Sequence, residues 1–278
     1  MTSSASRAAG GSAFLTDTTV TRVDERTWSA DVNPRWNVGD NPNGGYLLAI
    51  AVRAMQEATG RPDPLSTTAH YLSPPKAGPV TIKVDLIKQG RSFANATAQV
   101  IQEGRERVRL LSVLGDLDAR RGPTRVAARP PVLPAPDRCV SLRSLSEDAG
   151  RPVPQIMDRF DLMLPRDTSW GRVPEDDPLT VTGWIRFRDG TQPDPVSLVT
   201  FADSFPPTLI GSVAAGWVPT LELTVHVRSR PAPGWMMGTF STRFLMEGLM
   251  EEDGELWDAE GRPVALSRQL ALVLGGRP

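Results

Sequence analysis

Across residues 46–52 no polar residue interrupts the chain at any helical angle, so a helix there has no face to offer to water. Asn41 or Asn43 can cap its start, and Gly60 can end it in a left-handed turn. Spanning a bilayer takes about 20 apolar residues, far more than this run, so the pattern predicts a helix buried in protein. Around it the period becomes that of strands. Residues 18–33 alternate loosely through Val20, Val23, Trp28, Ala30 and Val32, which predicts a strand or hairpin leading into the helix. After the helix, residues 67–72 form a short strand closed by Pro74 and Pro75, and residues 80–86 are apolar at every second position. Ala94, Ala96, Ala98 and Val100 line one face of the next strand, and residues 108–117 make the last. A buried helix followed by four consecutive strands predicts an antiparallel sheet curled around that helix.

From residue 118 the pattern stops. Arg, Pro and Ala dominate, no apolar period survives to about residue 154, and the segment predicts a surface linker. Beyond it the plan recurs. Residues 181–187 are strand-like, and Asp194-Pro195 is a helix start followed by the apolar residues 196–205. Strands are then predicted over 217–227 and 236–246, with a final pair ending at Leu274.

The recurrence holds residue by residue. Thr68, His70, Ser73, Pro75 and Gly78 reappear as Thr224, His226, Ser229, Pro231 and Gly234, at a constant offset of 156. Glu103-Gly104 reappears as Glu260-Gly261 with one residue inserted. Two copies of one helix-in-sheet unit account for this. The expected organisation is a flexible tail over 1–15, a first unit over 16–120, a linker over 121–154 and a second unit over 155–278.

Charge and cysteine content narrow the function. The 31 basic and 32 acidic residues are scattered and leave a net charge of −1, which gives no basic stripe for nucleic acid. Cys139 is the only cysteine, so no intrachain disulfide and no thiolate-rich metal site can form, and no activating partner stands near it in sequence. The first residues carry no apolar stretch of the kind a signal peptide needs, which predicts a cytoplasmic protein. His70 and His226 are the only histidines, and each stands at the same place in the repeat, before a turn. That placement predicts structural roles, because a metal site would need both together with further ligands.

One long helix within an antiparallel sheet, occurring twice, resembles a double hotdog fold of the α+β class. More specifically the chain resembles the acyl-CoA thioesterases of the thioesterase II (TesB-like) family. The residues that carry the resemblance are Gly44-Gly45-Tyr46, His70-Tyr71-Leu72-Ser73-Pro74, Gly90-Arg91-Ser92-Phe93 and Gln102-Glu103-Gly104 in the first half. In the second they are Phe201-Ala202-Asp203-Ser204, Pro219-Thr220, and residues 257–261 through Ser267-Arg268-Gln269. The resemblance implies that Asp203, Thr220 and Gln269 hold and activate a water, and that the substrate is an acyl-CoA used in lipid metabolism. Relatives often continue the threonine with Ile-Asp-His, whereas this chain continues with Leu221-Glu222-Leu223.

The residues themselves add chemistry to that implication. Asp203 shares a helical face with Val196, Val199 and Thr200, and a carboxylate among apolar neighbours is a candidate general base or a frayed helix end reaching water. A threonine at 220 is either a strand former or a hydroxyl that orients a water. Gln269 lies between the small residues Ser267 and Ala271, with room for a water or a satisfied sheet-edge bond. Gly44, Gly45 and Tyr46 open the first helix, whose free N–H groups suit a carbonyl that becomes an oxyanion, so these three are expected to bind substrate. The expected reaction is hydrolysis of an acyl-CoA by an Asp203-activated water, with no metal or redox cofactor implied and a homo-oligomer left open. The alternatives are a non-catalytic acyl-binding protein and a hotdog hydratase or dehydratase, which would need a histidine beside a carboxylate.

Overall fold

The computed structural model describes residues 11–166, 178–209 and 215–275. Its long strands are β1 (Thr27–Val32), β2 (Asp63–Tyr71), β3 (Gly78–Gln89), β4 (Ala94–Gln102), β5 (Arg105–Gly115), β6 (Phe160–Leu164), β7 (Leu179–Phe187), β8 (Thr220–Val227), β9 (Met236–Thr242), β10 (Leu249–Asp258) and β11 (Pro263–Leu272). The helices are α1 (Ala13–Asp17), α2 (Gly44–Thr59), α3 (Leu142–Asp148) and α4 (Ser197–Phe201).

Helix α2 has the ends its sequence dictates. The Asn43 side chain accepts from the Tyr46 N–H, and Gly60 closes the last turn at φ +63°, donating to the Gln56 carbonyl. Every residue of the apolar run is buried, none more than 3% exposed. The reason is now visible. One side of α2 packs on β1 to β5, and the opposite side packs on α4, so no face is left for water. In β4 the alternation is complete, with Ala94, Ala96, Ala98 and Val100 all buried.

Among the described residues the main sheet is antiparallel, 14-stranded and continuous. Its long strands run in the order β1-β3-β4-β5-β2-β8-β11-β10-β9-β7-β6. Read outward from the β2–β8 seam, the two halves show the same order, so this is a double hotdog in which the two expected sheets join edge to edge. The seam checks the repeat independently. A two-fold axis must set equivalent residues against each other, and Thr68 pairs with Thr224, with their hydroxyl oxygens 2.8 Å apart and their positions 156 residues apart. Equivalent bulges follow, between Pro64 and Ser66 in β2 and between Thr220 and Glu222 in β8.

Three expectations are corrected. Residues 1–10 of the expected flexible tail lie outside the described residues, but the tail does not extend through residue 15. Ala13–Asp17 is helical and Phe14 is buried against Trp36 and Phe187, because an aromatic ring has more to gain from that pocket than from water. The segment 121–154 is not a plain linker throughout. Its second part holds a two-residue strand at Val140–Ser141 and helix α3, with Cys139 and Leu142 buried. Strand β6 follows and pairs with β7, burying Phe160, Leu162 and Leu164 at the strand period. Finally, the second helix is five residues long instead of covering 196–205. After Phe201 the backbone bonds shorten to three-residue turns, from Asp203 to Thr200 and from Ser204 to Phe201, ahead of Pro206 and Pro207. A residue preceding proline is disfavoured in the α region, so the helix cannot continue into that pair.

Candidate active site

Because α4 stops early, Asp203 does not sit on a helix but in the turn that follows it. That turn lies against the N-terminus of α2. Asp203 Oδ2 accepts from the Gly45 N–H at 2.8 Å and from Asn43 Nδ2 at 2.8 Å, and Asn43 Nδ2 also reaches the Asp203 carbonyl at 2.7 Å. The carboxylate therefore stands at the positive end of the α2 dipole, which offsets part of its desolvation. Burial nevertheless dominates. It pushes Asp203 up to about 6, while the Gly45 and Gly44 N–H groups and the Asn43 amide pull the other way.

The two glycines have separate steric reasons. A Cβ on Gly45 would stand 2.7 Å from the Val199 carbonyl oxygen and 2.8 Å from the Thr200 Cα, so its absence lets the α4 backbone touch α2. A Cβ on Gly44 would stand 2.7 Å from the Tyr71 hydroxyl oxygen.

From the other side comes a chain of side chains on the sheet. Thr220 Oγ1 donates to Gln269 Oε1 at 3.1 Å, and Gln269 Nε2 donates to Glu252 Oε1 at 2.9 Å. Glu252 Oε2 accepts from the Thr208 N–H at 2.9 Å. The sheet register explains the assembly, since Gln269 on β11 faces Glu252 on β10 and Leu223 on β8. Glu252 is buried, and burial first, then the nearby Asp203 charge, pushes it up to about 7. Accepting from Gln269 Nε2, Glu252 fixes that amide so that Oε1 faces Thr220.

Asp203, Thr220, Gln269 and Glu252 all line one cavity of about 690 Å³. Its apolar wall includes Leu47 from α2, Leu142 from α3, and Ile156 and Met157 from the segment before β6. The crossover between the units thus closes the site. A cavity of that size, apolar with a few converging polar groups, suits a small-molecule substrate.

The sequence-derived residues divide accordingly. The structure brings Asp203, Thr220 and Gln269 to one cavity, with Gly44 at its edge. Tyr46 does not reach it. Its ring is fully buried and stacked on Trp36 at 5.0 Å, and its hydroxyl is taken by the Asp17 carbonyl and the Asn33 N–H, so a substrate-binding role is corrected to a structural one. Gly45 contributes differently from the expectation: its N–H is engaged by Asp203 and is not offered to a substrate carbonyl. The Tyr46 N–H is likewise engaged by Asn43. Glu252 escaped sequence reasoning, although a signal existed. It occupies the core phase of β10, in step with Met250 and Leu256, and a carboxylate at an apolar phase asks for an explanation.

Among the described residues, the polar groups of the cavity have no matching set in the first half. Pro64 pairs with Leu114 as Thr220 pairs with Ala271, and Ser112 faces Thr67 as Gln269 faces Leu223. Pro64 has no side-chain donor, and the Ser112 hydroxyl is spent on Thr67 at 3.0 Å in the core. One productive site per chain is therefore expected on titration with a non-hydrolysable acyl-CoA analogue. Ser112→Ala should leave turnover about unchanged. Two equal hydrolysing sites would contradict this.

The histidines and the cysteine lie elsewhere. His70 and His226 are exposed on the sheet, and Cys139 is buried with its thiol beside the Pro134 carbonyl. No described helix is long and apolar enough to cross a membrane.

Comparison with known proteins agrees with this architecture. The acyl-CoA thioesterase N-terminal domain model matches residues 32–115, and the acyl-CoA thioesterase C-terminal domain model matches residues 136–273. A structure from Thermobifida fusca YX, described as a candidate thioesterase II, is 30% identical with a TM-score of 0.85, covering 96% of this chain and 98% of that one. A hotdog-fold protein of unknown function from Alicyclobacillus acidocaldarius has a TM-score of 0.82 at 21% identity, covering 95% and 99%, a likeness of fold alone. An uncharacterised protein of Mycobacterium tuberculosis H37Rv is 27% identical over 279 residues, 89% of this chain and 91% of that protein.

Proposed function

This chain belongs to the acyl-CoA thioesterase family, and from that premise we propose that it hydrolyses an acyl-CoA to free acid and CoA with a water activated by Asp203. The observation that carries the reading is the half-buried Asp203 carboxylate, facing the Thr220–Gln269–Glu252 chain across one apolar cavity. With Asp203 raised to about 6, it is ionised at neutral pH yet basic enough to take a proton. Thr220 and Gln269 hold the attacking water, and Glu252 holds Gln269. Asp203 takes the water proton as the water oxygen bonds to the thioester carbon. The tetrahedral intermediate then collapses, the carbon–sulfur bond breaks, and the leaving CoA thiolate takes the proton back from Asp203, which restores the base. The acyl chain lies along the Leu47, Ile156 and Met157 wall.

A hydratase reading is disfavoured because both histidines are exposed on the sheet and neither lines the cavity. An inert acyl-binding protein would have no need of a buried Glu252 and a half-buried Asp203, both costly to keep in an apolar cavity. Release of free thiol from a panel of acyl-CoAs by the purified chain tests the proposal. Hydrolysis of none of them, with the chain folded, would reject it.

Thr220→Ala and Gln269→Ala should each lower kcat more than they raise KM, because both groups act on the attacking water. Losses confined to KM in both variants would reassign them to the substrate wall.

A further inference from the structure

The α2 N-terminus is occupied by Asp203 and Asn43, which leaves the developing oxyanion of the proposed reaction without a donor from that source. One buried hydrogen-bond donor in the cavity wall has no partner among the described residues. The Tyr71 hydroxyl is buried, accepts from nothing and donates to nothing. Tyr71 ends β2, lines the same cavity as Asp203, and packs so closely on the start of α2 that a Cβ at position 44 would stand 2.7 Å from its hydroxyl oxygen. We propose that the Tyr71 hydroxyl donates a hydrogen bond to the thioester carbonyl oxygen and stabilises it as it becomes an oxyanion, making Tyr71 a catalytic residue.

Several observations converge on this. An unpaired buried hydroxyl costs stability, so its retention asks for an acceptor that arrives from outside. Burial first, then the Asp203 and Glu222 charges, hold the Tyr71 phenol well above the ordinary range. It therefore stays protonated, as a donor must. Asp203 and Tyr71 come from different halves of the repeat, so base and oxyanion donor approach the carbonyl from separate elements. In the proposed step the water proton passes to Asp203 and the carbonyl electron pair moves onto the oxygen. That oxygen accepts from Tyr71, and the pair returns as the thiolate departs.

The inference rests on the thioester reading, and the test separates the two. Tyr71→Phe in the full chain removes only the hydroxyl. It should lower kcat/KM by about 10²-fold, the usual cost of one oxyanion donor, while the melting temperature stays level or rises because no protein hydrogen bond is lost. A second readout needs no turnover. A trifluoromethyl ketone analogue of acyl-CoA, which hydrates to a tetrahedral adduct, should bind Tyr71→Phe at least about tenfold more weakly. A plain thioether analogue without the carbonyl should bind wild type and variant equally. Unchanged kcat/KM with equal ketone affinity would overturn the Tyr71 role and leave the hydrolase reading standing. A lower melting temperature with both analogues weakened alike would mark the hydroxyl as structural and overturn it too. A wild-type chain that hydrolyses no thioester, yet loses ketone affinity on Tyr71→Phe, would reject the reaction and retain the contact.

Discussion

Asp203→Asn is expected to lower kcat by roughly 10²-fold or more, without loss of melting temperature at neutral pH. The amide is nearly isosteric, and its oxygen can still accept from Gly45 and Asn43, so the contact between α4 and α2 survives. The stability effect follows from the direction of the pKa shift. Folding raises Asp203 from 3.8 to about 6, so the folded chain binds the proton more tightly than the unfolded one. The stabilising contribution is present in full below pH 3.8 and lost as pH rises through about 6, which leaves the charged form a net cost at neutrality. Removing that charge recovers on the order of 1 kcal/mol, at about 1.4 kcal/mol per unit before allowance for partial exposure. That net shift already contains the opposing pull of the Gly45 and Gly44 N–H groups and the Asn43 amide, so a level or slightly higher melting temperature is the outcome. The same shift sets the pH profile. Wild-type kcat/KM should climb with pH and level off above about pH 6, and the Asn variant should lack that limb. Near-normal turnover in a folded Asn variant would transfer the base role to Glu252, the other carboxylate lining the cavity.

Gly45→Ala should damage both fold and site. On propensity alone, alanine in a helix gains about 1 kcal/mol over glycine. The new Cβ, however, meets the Val199 carbonyl oxygen at 2.7 Å, the Thr200 Cα at 2.8 Å and the Asp203 Cβ at 2.9 Å, and backbone atoms cannot rotate away. Overpacking of this kind costs about 1–3 kcal/mol, so the clash outweighs the propensity gain. The relief is a shift of α4, which also strains the Thr200 hydroxyl bond to the Gly45 carbonyl and the Gly45 N–H bond to Asp203. A melting temperature lower by several degrees, with turnover down at least about tenfold, is expected. Gly60→Ala provides the control. It forces alanine into a left-handed cap at φ +63° and should lower stability by about 1 kcal/mol while leaving kcat intact. Equal kcat losses in the two variants would disconnect the α2–α4 contact from the chemistry.

Much of this protein follows from its sequence alone. The apolar run of α2, its caps and its complete burial are local facts of composition and period. So are the alternation in β4 and the 156-residue repeat, because a strand or helix that buries one face must write that face into its sequence. Asp203, Thr220 and Gln269, which the structure gathers at one cavity, were singled out through resemblance and residue chemistry together. Tertiary structure alone decided which polar groups were already spoken for. Local sequence marks a helix N-terminus as a donor site but cannot say that Asp203, 158 residues away, already accepts from Gly45. Nor can it say that Glu252 fixes Gln269 across two strands, or that the Tyr46 hydroxyl is taken and the Tyr71 hydroxyl is not. Hydrogen bonding is a matter of pairs, and these pairs join residues distant along the chain. The packing of α4 on α2 and the register of the sheet bring them within reach, so the site's chemistry belongs to the fold.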